Sequence, residues 1–136
     1  HGHIVLRGGN SGPNYASPHI AACEEALLKA GLSTTIMVDC SHANSQKDPS
    51  CQPAVARDVA AQIVAGNRSI VGLMLESNLE AGSQSIPTDA SNLRYGVSIT
   101  DGCISWASTE ALIEELAETL RRSVEERRCA STDRVP

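Results

Sequence analysis

Three apolar runs at nearly equal intervals constrain this chain more than any other feature of it. Ile4–Leu6 runs out into Arg7-Gly8-Gly9, Thr35–Val38 into Asp39-Cys40-Ser41-His42, and Ile70–Leu75 into Glu76-Ser77-Asn78. From Arg7 to His42 is 35 positions, and from His42 to Glu76 is 34. That interval holds one strand, one helix and two connections, so successive strands run parallel and the chain is α/β. In such a fold all strand ends of one polarity meet on one face, where α/β enzymes place their chemistry. The pattern delivers an arginine, a histidine and a glutamate to that face.

The segments between the runs support the reading. The spacing predicts a first strand over 3–7, then a turn-forming loop, Gly8–Asn14. A helix follows with Ser17 as N-cap and Pro18 in its first turn, carries Ile20, Cys23, Leu27 and Ala30 at helical spacing, and stops at Gly31. A second strand is expected over 34–40. A polar connection, Ser41–Gln52, leads to a second helix from Pro53 to Ala65, with Val55, Val59 and Ile63 on one face and Gly66 as its stop. A third strand is expected over 69–75. A loop of roughly thirty residues then runs to Trp106, a length that is usually functional or disordered. A third helix, from Thr109 behind Ser108, buries Leu112, Leu116 and Leu120. Its end, Arg121–Arg128, is rich in both charge signs and reads as a solvated face fraying into a tail over 129–136. The order is β-α-β-α-β-loop-α, either a small open sheet or three consecutive βα units of a larger barrel.

With 136 residues the chain has room for one domain and a real core. Phenylalanine is absent, so that core is built from Val, Ile, Leu and Ala, which suits buried parallel strands. The net charge is −5 with no basic stripe, which argues against nucleic acid as a partner. The longest apolar run, residues 69–75, is too short to span a bilayer, and no export signal opens the chain. Five cysteines, at 23, 40, 51, 103 and 129, are an odd and irregular set that reads as reduced cytosolic thiols. The chain starts at His1, two residues before a strand, as a piece of something longer would.

Several residues carry chemistry. Arg7 can grip a phosphate or carboxylate with its guanidinium fork while Gly8 and Gly9 let backbone N–H groups approach the anion; a tight turn with a surface arginine is the plainer alternative. His42, just past a buried strand and flanked by small polar residues, is placed as a metal ligand with supporting hydrogen bonds. Cys40, His42 and Cys51 form another conceivable zinc set, at a spacing that matches no common motif. Glu76 follows an apolar run and is costly there unless it meets a cation. Asp101 follows the short β-like Ser98–Thr100 and reaches the same face. One imidazole with two carboxylates suits Mn²⁺, Fe²⁺ or Zn²⁺; salt bridges from the carboxylates to Arg68 or Arg94 remain the alternative. His1-Gly2-His3 can bind Cu²⁺ or Ni²⁺ through a free terminal amine.

Together the segments His3–Gly9 (HIVLRGG), Gly12–Tyr15 (GPNY), Met37–Ser45 (MVDCSHANS), Gly72–Asn78 (GLMLESN) and Tyr95–Asp101 (YGVSITD) resemble the C-terminal part of type I 3-deoxy-D-arabino-heptulosonate 7-phosphate (DAHP) synthase. The likeness extends in order to about Arg122, with the Glu-Ser-Asn and Tyr-Gly-Val-Ser wording most like the tyrosine-regulated branch. It implies the last three βα units of a (β/α)8 TIM barrel within residues 1–128. It implies the metal-dependent condensation of phosphoenolpyruvate with erythrose 4-phosphate that opens the shikimate pathway of aromatic amino-acid biosynthesis, in the cytoplasm. By resemblance Arg7 grips phosphoenolpyruvate, Arg7 and His42 serve catalysis, Asp101 adjoins substrate, and His42, Glu76 and Asp101 hold a divalent Mn, Fe, Co or Zn ion. The family's cysteine ligand near the first barrel strand has no counterpart segment here, nor do its further substrate-binding lysine and arginines. Gly102 stands where an alanine is usual.

Three strands do not close a barrel. The expectation is therefore a transferase fragment, inactive by itself, that exposes apolar surface and oligomerises or associates with the missing barrel half. The alternatives are a non-catalytic binding or assembly module, and a different metal-dependent aldolase or lyase.

Overall fold

The computed structural model describes residues 2–132, with side chains up to residue 126. His1, on which the copper and nickel reading rests, and residues 133–136 of the tail lie outside the described residues. The described chain is mixed α/β: β1 (Ile4–Leu6), α1 (Ser17–Lys29), β2 (Ile36–Asp39), α2 (Gln52–Val64), β3 (Ile70–Met74), β4 (Ser77–Asn78), β5 (Ile104–Ser105) and α3 (Trp106–Thr132). Short 3₁₀ turns occupy His42–Ser45, Pro49–Cys51 and Ala90–Asn92.

β1, β2 and β3 form one parallel sheet with β2 in the centre. Ile4 faces Ile36 and Ile36 faces Ile70, while Leu6, Val38 and Leu73 align one turn of the pleat further on. Because the register is shared, Arg7, the end of β2 and the end of β3 reach one edge of the sheet. Between Ile36 and Met37 the partner shifts from Ile70 to Gly72, a bulge that leaves Val71 unmatched. Gly72 fits there because a Cβ on it would lie 3.2 Å from Met37 Cε.

The helices cover one face. Ile20 and Leu27 of α1, Val55, Ala56, Val59, Ala60 and Ile63 of α2, and Leu112 and Leu116 of α3 close over Ile36, Val38, Cys40 and Ile70. Ala56 and Ala60 of α2 are almost fully buried, and α3 packs against α2. The other face is open: Val5 is 45% and Val71 57% exposed.

The helix starts differ from expectation in instructive ways. The cap of α1 falls on Ala16, with no side-chain hydrogen bond, so Ser17 is already helical and Pro18 supplies the pre-set first turn. α3 begins at Trp106 rather than Thr109, because Ser105 does the capping: its Oγ accepts from Ser108 N at 3.2 Å, and its carbonyl accepts from Thr109 Oγ1 at 2.9 Å. The stops at Gly31 (φ 69°) and Gly66 (φ 108°) are as read. The charged end of α3 pairs Arg121 with Glu118 and Arg122 with Glu126 on the exposed surface.

The segment from 75 to 105 is folded, which its length did not suggest. β4 and β5 pair in parallel, Gly82 bridges Cys103, and Ser83 bridges Ser98. Gln84 staples the excursion: its Nε2 donates to the Arg94 and Val97 carbonyls at 2.8 and 3.0 Å, and its Oε1 accepts from Arg94 N at 2.9 Å. Such bonds leave no hydrophobic period in the sequence, so nothing there announced them.

The loop after β1 is set by one close approach. Gly8 has φ 74°, and a Cβ on it would lie 2.7 Å from Ala43 Cβ. Gly8→Ala should lower unfolding free energy by about 2 kcal/mol through strain and overlap. Gly9→Ala, where nothing lies within 4 Å, should change it by less than about 0.5 kcal/mol. Denaturant unfolding of the two variants checks this, and equal effects would refute it.

Candidate metal centre

The edge where β2 and β3 end gathers the polar residues. Immediately past β2 the backbone turns sharply: His42 has φ 48°, and Gln46 and Lys47 have φ 56° and 64°. Non-glycine residues in this region carry strain of order 1 kcal/mol each, and they cluster at functional sites. The strain is held by buried hydrogen bonds. Asn44, 3% exposed, donates through Nδ2 to the Leu6 carbonyl at 3.0 Å and the Asp39 carbonyl at 2.8 Å, and its Oδ1 accepts from Asn14 N at 2.8 Å. One amide thus ties the ends of β1 and β2 and the loop between β1 and α1 together.

Asp39, 2% exposed, organises the histidine. Its Oδ1 accepts from Ser41 N at 2.8 Å and from Ser41 Oγ at 2.7 Å. Its Oδ2 lies 2.7 Å from His42 Nδ1, and Ser41 Oγ lies 2.7 Å from the same nitrogen. The serine hydrogen is committed to Asp39, so both neighbours of Nδ1 offer lone pairs. The hydrogen therefore belongs on Nδ1, which leaves the Nε2 lone pair directed away from Asp39. This is the carboxylate–histidine arrangement that orients metal-binding imidazoles.

His42 Nε2 lies 3.5 Å from Glu76 Oε1 and 3.7 Å from Asp101 Oδ2. One ligand atom from each of the three residues falls within 4.8 Å of the others. They border a pocket of about 60 Å³ that Ser45, Lys47, Pro49 and Gly102 complete. An imidazole with a free nitrogen and two carboxylates sharing a small polar hollow is a donor set that suits a divalent transition ion. The residues present therefore fit a metal.

Asp101 is the exposed member, with 69% of its side chain accessible, while Glu76 and His42 are each 23% accessible. The salt-bridge alternative is not what the structure shows: among the described residues the carboxylates face His42, and neither pairs with Arg68 or Arg94. Nor do Cys40, His42 and Cys51 converge. Cys40 is fully buried with Sγ toward the Val38 carbonyl, and Cys51 is exposed.

Arg7 stands exposed at the end of β1, in line with Asp39, and among the described residues has no carboxylate at ion-pair distance. The glycines beside it do not form the anion cradle expected of them. Gly8 N donates to Asn14 Oδ1 at 2.7 Å and Gly9 N to the Gly12 carbonyl at 3.0 Å, so both amides are spent inside the loop. Gly8 is required by its contact with Ala43, not by a ligand.

The sequence places His42 among supporting polar neighbours but does not single out Asp39, Asn44, Gln52 or Lys47. Asp39, adjoining an apolar run as Glu76 does, carried a readable signal. Gln52 carried none.

The fold and the hollow define a parallel α/β protein with a His–Glu–Asp metal-type site at its strand ends. The DAHP synthetase I family model matches residues 1–114, and the chain belongs to that family. The chain is 54% identical over 120 residues to the tyrosine-sensitive phospho-2-dehydro-3-deoxyheptonate aldolase of Salmonella typhimurium, covering 88% of this chain and 33% of that enzyme. It is 54% identical over 119 residues to the tyrosine-sensitive enzyme of Escherichia coli K12, with the same coverage. The solved phospho-2-dehydro-3-deoxyheptonate aldolase of Francisella tularensis superposes with a TM-score of 0.82 at 45% identity, over 88% of this chain and 34% of that one. The chain thus spans about a third of the length of these relatives, and the resemblance read from its sequence is borne out. Among the described residues no helix is long and apolar enough to cross a membrane.

Burial pushes the Cys40 thiol up to about 12, with the nearby Asp39 carboxylate adding to the effect. The thiolate is the reactive form, so at pH 8 Cys40 is almost wholly protonated as well as enclosed. Mass-spectrometric mapping with a thiol reagent at that pH should find Cys51 labelled and Cys40 unlabelled until the chain is unfolded. Early labelling of Cys40 would contradict this geometry.

Proposed function

We propose that this chain carries the metal-binding part of a DAHP synthase active site and corresponds to the last three βα units of a (β/α)8 barrel, with residues 1–128 as its share of that domain. The reaction is the condensation of phosphoenolpyruvate with erythrose 4-phosphate, releasing phosphate, in the cytoplasmic synthesis of aromatic amino acids. The observation that carries the reading is the convergence of His42, Glu76 and Asp101 on one hollow in a chain of this family.

In this reading His42 Nε2 and the carboxylates of Glu76 and Asp101 hold a divalent ion, Mn, Fe, Co or Zn. When bound, the ion supplies Lewis acidity to an aldehyde carbonyl under attack. Asp39 and Ser41 keep the imidazole turned with Nε2 toward the hollow. Arg7, unpaired by any described carboxylate and projecting at the same strand edge, holds the phosphoenolpyruvate anion by its planar fork and stabilises charge as phosphate departs. Asp101, the most exposed of the three, adjoins the incoming substrate. The spent amides of Gly8 and Gly9 mean that Arg7 does not hold both phosphorylated substrates with help from its own loop. Other cationic groups are needed, which agrees with a site completed by further barrel strands over the open face at Val5 and Val71.

The purified chain should bind Mn²⁺, and His42→Ala should weaken that binding by more than about tenfold. It should not consume phosphoenolpyruvate with erythrose 4-phosphate and Mn²⁺. Chelator-sensitive turnover would overturn the proposal that the site is partial. Absence of Mn²⁺ binding, or binding indifferent to His42→Ala, would favour the non-catalytic module.

A further inference from the structure

Gln52 is fully buried at the start of α2, yet it is a polar residue with no part in the core's packing logic. Both ends of its amide are used on a single residue 24 positions away. Its Oε1 accepts from Glu76 N at 2.8 Å, and its Nε2 donates to the Glu76 carbonyl at 3.1 Å. The same carbonyl accepts from Ile104 N at 3.0 Å.

Glu76 lies where the chain leaves one ladder for another. Up to Met74 the strand pairs with β2, Met74 O accepting from Cys40 N; from Ser77 it pairs with β5. At this seam the Glu76 N–H lies outside both ladders, while its carbonyl joins the β4–β5 ladder through Ile104 N, so the orientation of Glu76 is set by the groups that bond its N–H and its carbonyl. Rotation of either peptide flanking Glu76 would swing the carboxylate relative to His42. Gln52 supplies two of the three bonds to the Glu76 backbone and Ile104, three residues past Asp101, supplies the third. The turn that leads into Gln52 also touches the Asp101 loop, since a Cβ on Gly102 would meet Pro49 Cγ at 3.1 Å.

We infer that Gln52 is a positioning residue that fixes the Glu76 carboxylate at the spacing from His42 and Asp101 which a divalent ion requires. The inference rests on the metal reading of this site and adds a residue to it. A side chain that binds both the N–H and the carbonyl of one residue holds the peptide groups on either side of its Cα, and so restrains both of its backbone torsions. Groups outside the ligand set that orient ligands change metal affinity by about 10- to 100-fold.

The test compares Gln52→Met, a near-isostere without the amide, with Thr109→Val on α3, which removes the part-buried hydroxyl pair with Ser77 and the bond to the Ser105 carbonyl but none of the bonds to the Glu76 backbone. Each is measured as the full chain, for unfolding in chelator and for Mn²⁺ affinity and line shape by electron paramagnetic resonance. Both variants should lose stability in chelator. Only Gln52→Met should weaken Mn²⁺ binding, by about tenfold or more, with an altered line shape of the bound ion. Gln52→Asn, whose amide is one methylene too short to reach both groups, should do the same and serves where Gln52→Met does not fold. An unchanged Mn²⁺ affinity in the Gln52 variants, or an equal loss in Thr109→Val, overturns the inference while the metal reading stands. No Mn²⁺ binding by the unaltered chain removes both together.

Discussion

The structure depends on how buried polar groups are satisfied where β2 ends. Asp39, Ser41, Asn44, Ser45 and Gln52 are all at most 3% exposed, at a place where an unmade hydrogen bond costs on the order of 1–3 kcal/mol. Asp39, Ser41 and Ser45 find partners within the turn itself, among Asp39, Ser41 and His42, whereas Asn44 reaches Leu6 and Asn14 and Gln52 reaches Glu76 in other segments. The strained backbone at His42 persists because these bonds over-determine it. Hydrophobic burial holds the helices to the sheet, but it is non-directional and does not aim a side chain. The aim of His42 and Glu76 comes from this polar seam, which joins three strand ends and the start of a helix.

What the sequence made legible follows from the physics of each signal. Ile36, Val38 and Ile70 sit in strands and Val55, Val59 and Ile63 on one helix face, because burial repeats with the geometry of the element and leaves a period to read. His42 and Glu76 were legible because a polar residue after an apolar run has a calculable cost. The folded excursion from 75 to 105 was not legible. Gln84, Ser98 and Gly82 hold it by hydrogen bonds to backbone atoms, and a glutamine that staples a loop looks in sequence like any exposed glutamine. The same holds for Gln52. Ser105 and Ser108 are equally good caps by residue type, and only the exit of β5 decides between them.

The two carboxylates are held in different ways. Glu76 is held at both its N–H and its carbonyl within the packed interior, whereas Asp101 is exposed and its segment is tied through backbone bonds of Ser98, Cys103 and Ile104. In the proposed reading, one rigid wall and one accessible wall would keep the candidate ligands near a metal-binding geometry while leaving an approach for substrate. His42 belongs to the rigid wall through Asp39, and Arg7 borders the same edge through the shared strand register.

The helix-covered face of the sheet is a finished core, and the opposite face is not. Val5 and Val71 lie on strands whose other side is enclosed by three helices, so their exposure is not the scatter of single apolar residues found on any surface. The candidate ligands sit at the strand-end edge where these two faces meet. The polar seam that orients His42 and Glu76 lies within this chain, while the open face beyond it carries the exposed Val5 and Val71. A metal site needs only the first of these. In the proposed reading, recognition of two phosphorylated substrates would need cations placed across the second, and this separation would let a chain one third of a relative's length hold the candidate metal ligands without the whole of an active site.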